Sequence, residues 1–323
     1  SHPSTYNLIY PECYLEAGDK PQRIATIQKA MHDYLGEGIV QNIGKGFILV
    51  ERYTPFEKHP RKGLIFAVDL EAYQFGKQVT SMVRPTEGTI LERLPPRMEI
   101  RRGAPLELPH IMLLIDDPCR TVIEPLYARM SDFKTLYDFD LMQKAGHIKG
   151  VHITDERTLA TIADALETLQ HAFTKKYADK APLLFAVGDG NHSLATAKQI
   201  WEEIKKANSG NPGIMNHPAR YALVELVNIY DEGLPFHPIH RVLFKADKAL
   251  LEKALQEAGA HIEPMPFAEA VKHTDDIHTT EHRFVLIHES GTSLVRFSKP
   301  QAVLATSTIQ AVLDGYLKAH QES

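Results

Sequence analysis

The stretch LLFAVGDGNHSLATAKQIWEEI, Leu183 to Ile204, constrains the fold more than any other part of the chain. An apolar run of strand length ends on two glycines and a polar cluster. It then passes directly into an amphipathic helix, with Leu194, Ala197, Trp201 and Ile204 on one face and Glu202, Glu203, Lys205 and Lys206 outside. Strand, glycine turn and helix start together make an anion site. The first N–H groups of a helix have no partner within it, the dipole adds partial positive charge, and glycine lets the backbone approach a ligand closely. Gly188 and Gly190 supply the turn, and Asn191, His192 and Ser193 place donors at the helix mouth. The dipole contributes only about 0.3–1 kcal/mol, so affinity has to come from several donors acting together. The string fits neither GxxxxGK[ST] nor GxGxxG, which excludes the P-loop and Rossmann readings on spacing. Spacing leaves a plainer reading open, in which Asp189, Asn191 and Ser193 only cap the helix. Two glycines, an acid and a histidine in five consecutive positions are more than a cap needs.

The surrounding pattern predicts an α+β protein of 323 residues, enough for one large domain or two ordinary ones. Asp19 and Pro21 open a helix that Gly36 ends. GFILVERY, GLIFAVDLEAY, HIMLLID and RYALVELVNIYD read as strands, and a helical stripe runs from Leu159 to Phe173. Between Val79 and Arg102 lies a polar, proline-rich loop with a basic amphipathic piece. Near Lys245 the texture resets to a helix over Asp247–Ala258, a hairpin HRFVLIHES-GTSLVRFS, and a last helix near Ser307–Ala319. These patterns predict a main domain over 1–244 and a C-terminal α+β lobe over 245–323.

Composition closes off several functions. With 36 Lys and Arg against 41 Asp and Glu, the net charge of −5 and the lack of a basic block argue against a nucleic-acid partner. No apolar run approaches the ~18 residues of a membrane span. The two cysteines, Cys13 and Cys119, offer no zinc spacing. Together these predict a cytoplasmic protein without a membrane partner.

Further candidates lie outside the corner. RPTEGT combines Arg84, a source of positive charge, with Glu87, a candidate general base, and Thr89. In ALVELVNI both alternating rows are apolar, so Glu225 stands in a strand expected to be buried on both faces. Such a carboxylate needs a partner, for which Arg84, His192 and Arg241 are the candidates. His237, His240 and Arg241 fall in PFHPIHRVLF, where Pro238 opposes a helical metal pair and Arg241 suits an anion. Asp116 and Asp117 read as turn formers.

FAVGDGNHSLATA resembles the ADGHHRYETA signature of the protein family known as domain of unknown function 1015. GLIFAVDLEAYQF, the VRPTEGT loop, the following DDP turn and HPIHRVLF resemble further segments of that family in the same order, from about Gly63 to Phe244. The family string is in turn similar to the phosphate motif of ParB/sulfiredoxin-like proteins. The resemblance therefore implies a mixed-sheet ParB/sulfiredoxin-like core with nucleotide phosphates on the corner. This chain departs from the pattern at two positions: Asn191 replaces a histidine, and Ser193 replaces an arginine whose guanidinium would clamp phosphate.

Two functions follow as expectations. One is a phosphotransferase using ATP, ADP or CTP with Mg²⁺ on a small polar metabolite. In it Gly188–Ser193 hold the phosphates, Asp189 shares the metal, Glu87 is the base, His192 a ligand or acid, and Arg84 and Arg241 stabilise charge. The other is a non-catalytic nucleotide- or metabolite-sensing module, which the serine at position 193 favours.

Overall fold

The computed structural model describes residues 2–76, 79–108, 110–178, 180–235, 240–274 and 280–320. The chain divides into two compact units, Ser1–Pro235 and Phe236–Ser323. The first contains α1 (Lys20–Gly36), β1 (Phe47–Tyr53), β2 (Arg61–Asp69), β3 (Val83–Pro85), α2 (Leu94–Arg101), β4 (Ile111–Ile115), α3 (Glu124–Tyr127) and β5 (Lys134–Asp140). It continues with β6 (His147–Ile153), α4 (Glu156–Lys176), β7 (Phe185–Asp189), α5 (Asn191–Ala207) and β8 (Tyr221–Asn228).

Its eight strands form one mixed sheet in the order β3-β7-β4-β8-β2-β1-β6-β5. Pairs β3/β7 and β4/β8 are parallel and the remaining pairs antiparallel. The class is mixed α+β. Register explains which residues reach the core. Leu49 pairs Leu64, Leu64 pairs Leu226, Leu226 pairs Leu113, and Leu113 pairs Val187. Directly paired residues share a face, so these side chains form one row, and all are fully buried. Ile162 of α4 and Leu194, Ala197 and Trp201 of α5 belong to the same core. Asp155 caps α4 by accepting the Thr158 N–H at 2.8 Å.

The opposite row runs Ile48, Ile65, Glu225, Met112 and is only half-buried. The expectation that β8 is buried on both faces therefore holds at Val227 of its outer row, which is fully buried, and fails at Leu223 and Glu225, which are half-buried. Three strands of this unit are absent from the sequence reading, β5, β6 and the three-residue β3. β5 (KTLYDFD) carries charges at both ends that mask its alternation, and it lies at the sheet edge, where charge guards against unwanted pairing.

The second unit comprises α6 (Lys248–Glu257), β9 (His261–Pro264), α7 (Phe267–Thr274), β10 (His282–His288), β11 (Gly291–Phe297) and α8 (Ala305–Ala319). Its strands form a separate antiparallel sheet, β10-β11-β9. Leu251 and Leu255 of α6 meet Val295 and Phe297 of β11 and Leu313 and Tyr316 of α8. The expected hairpin and flanking helices are present, while β9 and α7 are additional. Among the described residues, no helix is long and apolar enough to cross a membrane.

At the β5–β6 edge, His147 bonds Asp140 through Nδ1 and Asp138 through Nε2, both at 2.7 Å. The Asp140 and Asp138 hydrogen bonds raise its pKa above the ordinary histidine value. A raised folded pKa contributes stability at pH below the unfolded value of about 6.5, and that contribution is lost as pH rises through the folded pKa. An NMR titration of the His147 ring should give a midpoint above that reference, and Asp140→Asn should move it down. A midpoint unchanged by the substitution would contradict the assignment.

Candidate functional site

Three segments converge at one end of β7. The first is the corner itself. β7 ends at Asp189, Gly190 takes a left-handed φ of +85°, and α5 begins at Asn191. A Cβ on Gly190 would lie 3.1–3.2 Å from Ile111 atoms, and one on Gly188 would lie 2.7 Å from Leu114. Both glycines are therefore required by close packing of the turn against β4, and Gly190 also by its backbone angle.

The second segment is RPTEGT. Because β3 runs parallel to β7, with Pro85 opposite Val187, the chain leaving β3 passes over the same end of the sheet as the corner. Thr86 Oγ1 donates to the Val187 carbonyl at 2.6 Å, and the Ile90 N–H donates to His192 Nε2 at 3.3 Å. With Nε2 accepting, the proton of the neutral His192 ring resides on Nδ1. Glu87 is exposed on this loop.

The third segment was not found from sequence. β4 is antiparallel to β7, with Met112 opposite Asp189, so the residue just before β4 arrives beside the first turn of α5. That residue is His110, whose Nε2 lies 2.7 Å from Ser193 Oγ while Nδ1 lies 3.0 Å from the Leu108 carbonyl. The loop leading to it is anchored: Arg101 pairs with Glu107, whose Oε2 accepts the Leu223 N–H at 2.7 Å. The sequence signal was a histidine bordering a strand, which acquires meaning only once the pairing partner is known.

The first turn of α5 leaves backbone N–H groups unpaired. Asp189 Oδ1 accepts the Gly190 N–H at 2.7 Å, and the first α5 residue with a backbone acceptor is Leu194, which donates to Gly190. Among the described residues, the N–H groups of Asn191, His192 and Ser193 have no acceptor. Two buried side-chain oxygens in these segments, Thr89 Oγ1 and Asn191 Oδ1, also lack partners. Asn191 is only 4% exposed, so the omission is costly unless something polar enters. Farther along α5, the Lys205 ammonium and the Trp201 indole hold the Glu71 carboxyl below its ordinary range and anchor the helix.

Two expected members, Arg84 and Glu225, are held elsewhere in this unit. Arg84 directs its guanidinium to the start of the β7 segment, with Nε donating to Ser81 O at 2.6 Å and Nη2 donating to Ala181 O and Pro182 O at 3.0 and 2.7 Å. Its side chain thus runs away from the corner. Glu225 has none of its anticipated partners: Arg61 grips it through two hydrogen bonds of 3.1 and 3.0 Å. The period of two puts Glu225 on the sheet face opposite the α5 core, so the corner histidine cannot serve it. His240 and Arg241 belong to the second unit, where Arg241 Nε donates to Gln310 at 3.0 Å. His237 lies outside the described residues. Asp117 forms the expected turn by accepting the Val122 N–H at 2.9 Å, and Asp116 accepts from the Tyr230 hydroxyl. Among the described residues, no three His, Cys, Asp or Glu side chains are grouped to hold a metal.

Gly190→Ala should lower stability by about 1–2 kcal/mol, the cost of a left-handed alanine, with the contact to Ile111 added. Urea unfolding checks this, and an unchanged midpoint would contradict the geometry of the turn.

A family model described as protein of unknown function (DUF1015) matches residues 1–316. No curated protein and no solved structure matches the chain. The chain belongs to the DUF1015 family.

Proposed function

We propose that this member of the DUF1015 family binds the phosphate of a nucleotide or small polar metabolite at the mouth of α5. The observation that carries the reading is the set of three unclaimed N–H groups, on Asn191, His192 and Ser193, accompanied by the orphaned Thr89 Oγ1 and Asn191 side chain. A phosphate oxygen accepts from N–H and hydroxyl donors, and rotating the Asn191 carboxamide by half a turn presents a further donor. Asp189 brings a negative charge to the same place. Its Oδ1 is occupied by Gly190, and Oδ2 would share Mg²⁺ with the phosphates of ATP, ADP or CTP. The ParB/sulfiredoxin-like analogy supports the same placement of phosphates at a strand–turn–helix corner.

Binding is better supported than phosphoryl transfer. Transfer requires positive charge on the migrating group, whereas Arg84 is tied to carbonyls elsewhere and Ser193 replaces the expected guanidinium. Glu87 remains the candidate base for the transferase reading, from its exposed position on the loop beside the corner.

Calorimetric titration with inorganic phosphate, ATP, ADP and CTP, each with Mg²⁺, tests the proposal. At least one should bind, and Thr89→Val should weaken it about tenfold or more, the worth of a hydrogen bond to a charged group. Binding that is indifferent to Thr89→Val, or no binding by any of the four, would overturn it.

A further inference from the structure

We propose that Ser193 is a base-activated nucleophile, with His110 as its general base, and that the mouth of α5 cleaves a small carboxylic ester. The proposal shares one premise with the binding reading, that the free N–H groups of α5 accommodate a negative oxygen.

The tautomer follows from the partners. The Leu108 carbonyl can only accept, so His110 Nδ1 carries the proton and donates to it at 3.0 Å. In the neutral ring Nε2 is then an acceptor, and the hydrogen bond of 2.7 Å has the Ser193 hydroxyl donating to it. A hydroxyl donating to an imidazole whose other nitrogen is fixed by a third group is the arrangement that activates a serine. Ser193 is half-buried and His110 exposed, so the pair is within reach of a substrate.

The surroundings supply what the developing charge needs. The N–H groups of Asn191, His192 and Ser193 are unclaimed at the positive end of a helix of 17 residues. An independent observation points to a ligand here. Asn191, at the first position of the helix, is 4% exposed and its buried Oδ1 has no partner; turned by half a rotation, the carboxamide presents Nδ2 there as a donor to a bound carbonyl oxygen. The charge balance selects the substrate class. A carbonyl in acyl transfer develops one negative oxygen, which neutral N–H donors can hold. A phosphoryl dianion needs an added cation such as Mg²⁺ to offset the Asp189 carboxylate, because the Arg84 guanidinium is bonded elsewhere.

In the first step Ser193 Oγ bonds to the ester carbon as its proton passes to His110 Nε2, and the carbonyl electron pair moves to the oxygen held by the N–H groups. The pair returns, the bond to the alkoxy oxygen breaks, and that oxygen leaves as the alcohol with the His110 proton. Water then gives a proton to Nε2 as its oxygen bonds to the acyl carbon. The second collapse releases the carboxylic acid and returns the proton to Ser193 Oγ.

An alkyl fluorophosphonate, from which an activated serine displaces fluoride, is the probe, read by peptide mass spectrometry on the full chain. A single adduct on Ser193 is expected, absent in Ser193→Ala and formed ~100-fold more slowly in His110→Gln, with p-nitrophenyl acetate hydrolysis falling in parallel. Thermal unfolding of both variants establishes that they fold. No adduct on Ser193 in the folded wild type, or ester hydrolysis undiminished in Ser193→Ala, overturns the proposal. If phosphate binds and no adduct forms, the nucleophile falls and the binding reading stands. If the adduct forms and phosphate does not bind, the nucleophile stands and the binding reading falls.

Discussion

The antiparallel pairing of β4 with β7 is the constraint on which the site depends. It sets Met112 opposite Asp189 and brings Ile111 within 3.1 Å of where a Cβ on Gly190 would lie. The same register delivers His110 to Ser193 at the first turn of α5. The register shifts between Met112 and Leu113, which marks a bulge in the pair next to the corner. Bulges re-aim the chain at the ends of strands, and this one accompanies the approach of His110 to the helix.

Electrostatics at the mouth are finely opposed. Three helix N–H groups attract negative charge, while Asp189 caps Gly190 and repels it. Two guanidinium groups of this unit are committed away from it: Arg84 is bonded to three carbonyls, and Arg61 is paired with Glu225 on the other side of the sheet. The balance favours a ligand that brings a cation with it, or one that develops only a single negative oxygen.

Much of the architecture was legible in the sequence because periodicity survives where one face is buried. The α4 and α5 stripes and the C-terminal hairpin have that origin. The corner was legible too, since Gly190 in the left-handed region and an adjoining helix leave a local trace. What was not legible is what depends on pairing between distant strands. Arg84 and Thr89 are close in sequence, yet one side chain runs toward the start of the β7 segment while the other lies in the loop at its end. Glu225 was recognised as needing a partner, but the choice of Arg61 is set by the β2–β8 register, which no local pattern encodes. His110 is the same case.

The central claim is that the Asn191, His192 and Ser193 N–H groups are available to a negative oxygen. Amide NMR of the full chain titrated with inorganic phosphate in the presence of Mg²⁺ measures this directly. Saturable shifts concentrated at those three amides and at Thr89 are predicted. Shifts absent from the first turn of α5, or spread evenly over the surface as salt produces, would contradict it.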